Sequence, residues 1–194
     1  MFIPNTPQFV EFGIGPSAPA GWFGVDVPDG DAYPWLQAPV GAEYWYIAAN
    51  THVARYLKVK NDGVDNDWCV VAGVISETVA VGDFTDGGGA AGTVALSTAL
   101  PAGAFVTRAY LLDVTGFTGN TSAVAILGDG TDADRYGSAT PTNVFASAAA
   151  IDLGAPSGVQ IHAAAKTPTL TVTGNSDFGA VTAGQATVRI FYTK

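Results

Sequence analysis

Residues 169–174, TLTVTG, set Thr169, Thr171 and Thr173 in strict alternation with Leu170 and Val172. That period of two is the mark of a β-strand with one apolar and one wet face. Residues 186–194, ATVRIFYTK, repeat it, with Val188, Ile190 and Tyr192 on one face. Working back along the chain, the same rhythm recurs in TVALSTAL, AFVTRAYLLDVTGF, SAVAILG and GVQIHAA. Between these runs lie PAG, GFTGN, GDGTDADRYG and GNSDFGAVTAG, rich in the Gly, Asn and Asp that tight turns require. Short strands separated by regular turns predict an all-β chain whose main body, residues 76–194, is an antiparallel, jelly-roll-like β-sandwich. The alanine-rich FASAAAIDL, residues 145–153, fits either a short helix or a buried strand, which periodicity does not separate.

Upstream, residues 41–75 predict a small antiparallel meander. Its strands are Glu43–Ala49, His52–Val59 and Asp67–Val74, broken by Asn50-Thr51 and by KNDGVDN. Trp45, Tyr46, Tyr56 and Trp68 then become cross-strand neighbours. Two roles compete for them: stacking on sugar rings, or packing the meander against the sandwich or a neighbouring subunit, which is the expected one.

Residues 1–40 form a third region, predicted to be an extended arm. GWFGVDVPDGDAYPWLQAPVG, residues 21–41, is too dense in proline and glycine for a helix or a long strand. It nevertheless carries Trp22, Phe23, Tyr33 and Trp35. Such large aromatics are out of place on a solvated linker, and a small sandwich has little groove to spare for them. A second surface is the better place to bury them. Residues 1–50 hold ten of the chain's 21 aromatics and none of its eight basic residues. The region therefore reads as an acidic docking arm, with Trp22, Phe23, Tyr33, Trp35, Trp45 and Tyr46 as the expected docking residues.

Composition narrows the function classes. The 194 residues carry a net charge of -9, and their basic residues are scattered, which disfavours nucleic-acid binding. No apolar run approaches membrane-spanning length, and the opening MFIPNTPQF lacks the features of a signal peptide. The single cysteine, Cys69, rules out an internal disulfide framework and suits a core residue of a protein made in a reducing cytosol. Only 13% of residues are charged, against about 25% in ordinary soluble domains. Such a surface suits a subunit that is largely covered.

Residues that carry chemistry are sparse. No serine occupies a G-x-S-x-G elbow, no H-E-x-x-H occurs, and GDFTDGGGAAG lacks the lysine of a phosphate loop. Asp113 and Glu77 stand outside obvious turns, and nothing in the sequence pairs them. His162 reads as a structural histidine on a strand-like run. Asp129, Asp132 and Asp134 could offer oxygens to Ca²⁺, but without EF-hand spacing they read as turn residues, as do Asp62, Asp65 and Asp67. The expectation is a non-enzyme with no cofactor and no metal.

LPAGAFVTRAYLLDVTGFTG, followed by SAVAILGDGTDADRYG and later by GAVTAGQATVRIFY, resembles the β-sandwich domains of tailed-bacteriophage head decoration, or cement, proteins. The preceding GAEYWY, THVARYLKVKNDG and DWCVV resemble hairpin units of phage head and tail-fibre proteins. The resemblance covers roughly residues 41–194. It implies a structural virion protein on the outer surface of the capsid, partnered by the major capsid protein and by itself as a homotrimer. A receptor- or glycan-binding head- or tail-fibre module is the alternative. No catalytic residue is carried over.

Overall fold

A computed structural model describes residues 8–11, 20–24, 28, 38, 40–48, 52–60, 62, 67–137, 141–157 and 161–194; of residues 8–11, 20–24, 47, 48, 52 and 53 it describes the backbone alone. The chain is an all-β sandwich, with thirteen strands among the described residues, in two compact units. The first unit holds the described residues up to Val74 with Thr193 and Lys194, and the second spans Ile75–Tyr192.

In the first unit, β1 (Gln8–Glu11) and β2 (Ala20–Gly24) form an antiparallel pair inside the expected arm. Strand β2 then pairs in parallel with β3 (Glu43–Ala48), and β3 pairs antiparallel with β4 (His52–Lys58). The sheet continues to the first half of β5 (Trp68–Ala80), which runs six residues beyond the Val74 limit predicted for it. Its period of two continues through Ile75 and Val79, both buried. Two short strands thus stand where the prolines and glycines predict an extended arm; at four and five residues they are short enough to lie between the prolines, β2 taking in Gly21 and Gly24.

The second unit packs two sheets. One has the order β5-β13-β8-β11, from β13 (Ala183–Thr193), β8 (Phe105–Thr118) and β11 (Ala148–Asp152). The other has the order β10-β9-β12-β7-β6, from β10 (Thr142–Asn143), β9 (Ala123–Gly128), β12 (Thr169–Gly174), β7 (Ala91–Ala95) and β6 (Thr85–Asp86). Leu170 and Val172 of β12 and Val188, Ile190 and Tyr192 of β13 are all buried, as their alternation predicts. Leu111, Phe117, Leu127 and Val144 are buried as well, Leu127 directly opposite Leu170. Phe84 packs against both Phe117 and Phe178, with ring centroids 5.8 and 5.6 Å apart. Gly92 lies under Phe178 so closely that an added Cβ would stand 2.3 Å from the ring.

Two expectations are corrected. FASAAAIDL is neither helix nor buried strand: β11 runs along a sheet edge, with Ala149 and Ala150 exposed. In GVQIHAA the described residues Ile161–Ala164 lie outside any strand. The His162 carbonyl serves the neighbouring turn instead, accepting from Gly103 N at 2.8 Å.

Asp113 and Glu77 also find roles. Glu77 accepts hydrogen bonds from Ser97 N and Oγ at 2.8–2.9 Å and pins the turn after β7. Asp113 sits mid-strand in β8 with φ of 49°, in the left-handed region. The buried positions of β8 shift there from Ala109 and Leu111 to Val114. A left-handed residue resets which side of the pleat faces inward.

Candidate functional site

Strands β3 and β4 build the first unit's two faces. Tyr44 pairs across with Tyr56, and Trp45 with Arg55. Period two sends these pairs to opposite sides. Tyr44, Tyr56 and Trp68 close a small core with Ala38, Ala42 and Ala54. The Tyr44 ring lies 6.4 Å from Tyr56 and 6.2 Å from Trp68, the latter edge-on. Lys58 is fully buried, its Nζ 5.9 Å from the Trp68 ring centroid. Burial lowers its pKa, and the neighbouring Asp67 carboxylate partly offsets that.

On the other face Trp45 remains 43% exposed. The Arg55 guanidinium stands 6.0 Å from its ring centroid, and Arg55 Nη1 reaches Glu43 Oε1 at 3.9 Å. An exposed indole flanked by a cation and a carboxylate offers a flat apolar surface with a charged rim, able to stack on a ring or seat an apolar side chain.

The residues expected to dock are divided accordingly. Trp45 is exposed, whereas Tyr46 is partly buried against the small core. Trp22 and Phe23 lie on β2 in register with Tyr44 and Trp45; their side chains lie outside the described residues. Tyr33 and Trp35 lie outside the described residues altogether. Tyr56 and Trp68, weighed above as sugar-stacking residues, are buried in packing.

The second unit carries a charge cluster around one buried carboxylate, which its acidic loop only half announces. Gly128 ends β9 at a place where an added Cβ would stand 2.0 Å from Asp132 O. That close approach folds the loop back and turns Asp129 inward. Asp129 Oδ1 accepts from Thr131 N at 2.9 Å and Asp132 N at 2.8 Å. Its Oδ2 faces Arg135 Nε at 3.6 Å, His162 Nε2 at 3.6 Å and Lys166 Nζ at 3.7 Å. Burial alone would raise the Asp129 pKa. The two backbone N–H donors, with Lys166 and Arg135, outweigh it and hold the carboxyl below its usual value.

Tyr136, fully buried, stands edge-on to His162 with centroids 6.2 Å apart. Burial, then the charge of Asp129, pushes its pKa up to about 12. Asp132 turns away to Arg135 Nη2 at 3.1 Å, and a hydrogen bond between Asp132 and Asp134 raises the pKa of Asp134. Asp129 and Asp132 thus share Arg135, and Asp132 in turn bonds Asp134, so the three aspartates form a chain and do not converge on one point. In the other acidic run Asp62 pairs with Lys60 at 3.0 Å, Asp67 is buried, and Asp65 lies outside the described residues. Among the described residues no three histidine, cysteine, aspartate or glutamate side chains gather as a metal-binding set.

Sequence reasoning missed the meeting of Asp129 with His162 and Lys166, which lie more than thirty positions away. No local pattern carries that contact, since it arises from how β9 and the segment before β12 are brought side by side. No family model and no curated protein matches this chain.

Proposed function

We propose that the chain is a non-enzymatic structural protein of a tailed-bacteriophage virion. It binds the outside of the major capsid shell as a self-associating, trimeric cement subunit. The observation that carries this reading is the exposed Trp45, with Arg55 and Glu43 at its rim, on the unit that also holds β1 and β2 of the aromatic-rich N-terminal region. A large ring left 43% exposed beside its own well-filled core is a ready anchor for a partner surface. The phage-like strand sequences of both units support the same assignment, as does the low charge content. Docking rather than catalysis is what a stacking residue on a flat strand pair does best.

The same exposed indole favours one rival, a glycan- or receptor-binding fibre module, because tryptophan faces stack on sugar rings. The test is co-sedimentation of the purified protein with empty capsid shells, beside binding to host cell-surface material. The cement reading expects shell binding without cells, weakened about tenfold or more by Trp45→Ala, with the melting temperature unchanged. Binding to surface glycan instead, lost in the same variant, would replace it with the fibre reading.

A further inference from the structure

Among the described residues, one sheet of the second unit ends in a strand that no further strand covers. β11 ends the order β5-β13-β8-β11 and pairs with β8, from Ala148 opposite Val114 to Asp152 opposite Tyr110. Leu153 N donates to Ala109 O at 3.2 Å, just beyond the strand's end. Bonding alternates residue by residue in an antiparallel ladder. Counting back from Leu153, the backbone groups of Asp152 and Ala150 therefore point away from β8, toward the open edge; the ladder then skips Ala149, opposite the left-handed Asp113. Among the described residues no backbone group outside β8 pairs with them.

Edge strands of monomeric proteins are normally protected by lysine, proline, bulges or covering loops. β11 reads AAAID. Its one charge, Asp152, is neutralised from within by a salt bridge to Arg108 of β8. Ala149 and Ala150 are exposed, and three successive methyl groups leave the edge flat and unobstructed.

We infer that β11 is a homotypic contact, pairing antiparallel with β11 of a second copy about a two-fold axis at Ala150. The strand is complementary to itself. In that register Ala150 faces its own copy and Ala148 faces Asp152, so no two aspartates meet and no bulky side chains collide. A foreign peptide added to a sheet edge gains specificity from pockets beside the strand, and the alanines form none. Identical strands need only matched register. This contact does not depend on shell binding. In a trimeric subunit it joins one trimer to the next.

The experiment places single cysteines along the strand in a Cys69→Ser background of the full chain. Directly opposed, hydrogen-bonded residues have Cα atoms about 5.5 Å apart, inside the range of about 4.4–6.8 Å that a disulfide spans. Mild oxidation should turn Ala150→Cys into a covalent dimer on a non-reducing denaturing gel. Ala148→Cys should not crosslink, because its own copy lies four strand positions away, about 13 Å. Raising salt should strengthen self-association in light scattering, since each chain carries a charge of -9 and screening relieves the repulsion. Ala150→Pro removes an outward N–H that serves no bond within the chain, and should weaken self-association with an unchanged melt. Equal crosslinking at positions 148 and 150, or none at 150, overturns the proposal.

Discussion

Arg135 Nε stands 3.6 Å from Oδ2 of Asp129, whose side chain is only 2% exposed. The pair joins a loop to its own buried counter-ion, with His162 and Lys166 completing the ring. Removing the buried carboxylate leaves Arg135, His162 and Lys166, themselves 16–32% exposed, without their shared acceptor. Asp129→Asn should cost about 2 kcal/mol in a denaturant titration. Asp132→Ala, on the exposed side of Arg135, should cost under about 1 kcal/mol. Comparable losses from both would mean that the buried carboxylate is not the organising group. Chelator should leave both the melt and this difference unchanged; a fall of several degrees would place a cation in the loop.

Acid stability should depend on the same carboxylate. Its folded pKa lies below its ordinary value, so its contribution is complete above the unfolded pKa of about 3.9 and disappears as pH falls through the folded value. Melts from pH 5 downward should therefore steepen near pH 4 in the native chain, and Asp129→Asn should flatten that limb. An identical acid profile in the variant would place the acid-sensitive group elsewhere.

Tyr136 titrates on the opposite side of neutrality. Its folded pKa of about 12 exceeds the unfolded value of 10.0, so its contribution is intact below pH 10 and fades between about 10 and 12. Phenolate absorbance should show Tyr136 ionising after the exposed tyrosines, and Tyr136→Phe should delete that late component. The buried hydroxyl makes no hydrogen bond with the described residues. Tyr136→Phe should thus be neutral or stabilising, by up to about 1 kcal/mol. A loss above that would reveal a bonded partner for the hydroxyl.

Asp113 offers a test of the strand's change of face. Aspartate and asparagine tolerate a φ of 49°, whereas β-branched residues do not. Asp113→Asn should change stability by less than about 0.5 kcal/mol, and Asp113→Val should cost about 1–2 kcal/mol. If valine, with its higher strand propensity, proves stabilising, then the left-handed geometry is not what holds the strand.

The sequence by itself determined the strands that have one wet face. Leu170 and Val172, or Val188, Ile190 and Tyr192, must point one way once the backbone is extended, because the period of two is built into each residue. It also determined the meander strands of the first unit, whose turn residues and aromatic spacing are local. Tertiary structure alone decided three other matters. Whether Ala148–Ala150 is buried depends on which strand ends the sheet, and alanine fits a core or an edge equally well. Which aromatic stays exposed depends on pairing: Tyr44 and Trp45 are adjacent and chemically alike, yet register with Tyr56 buries one and register with Arg55 leaves the other in water. The fate of Asp129 depends on Lys166 and His162, brought beside it by a return of the chain. Burial and charge pairing are relations between segments distant in sequence, so no window along the chain contains them.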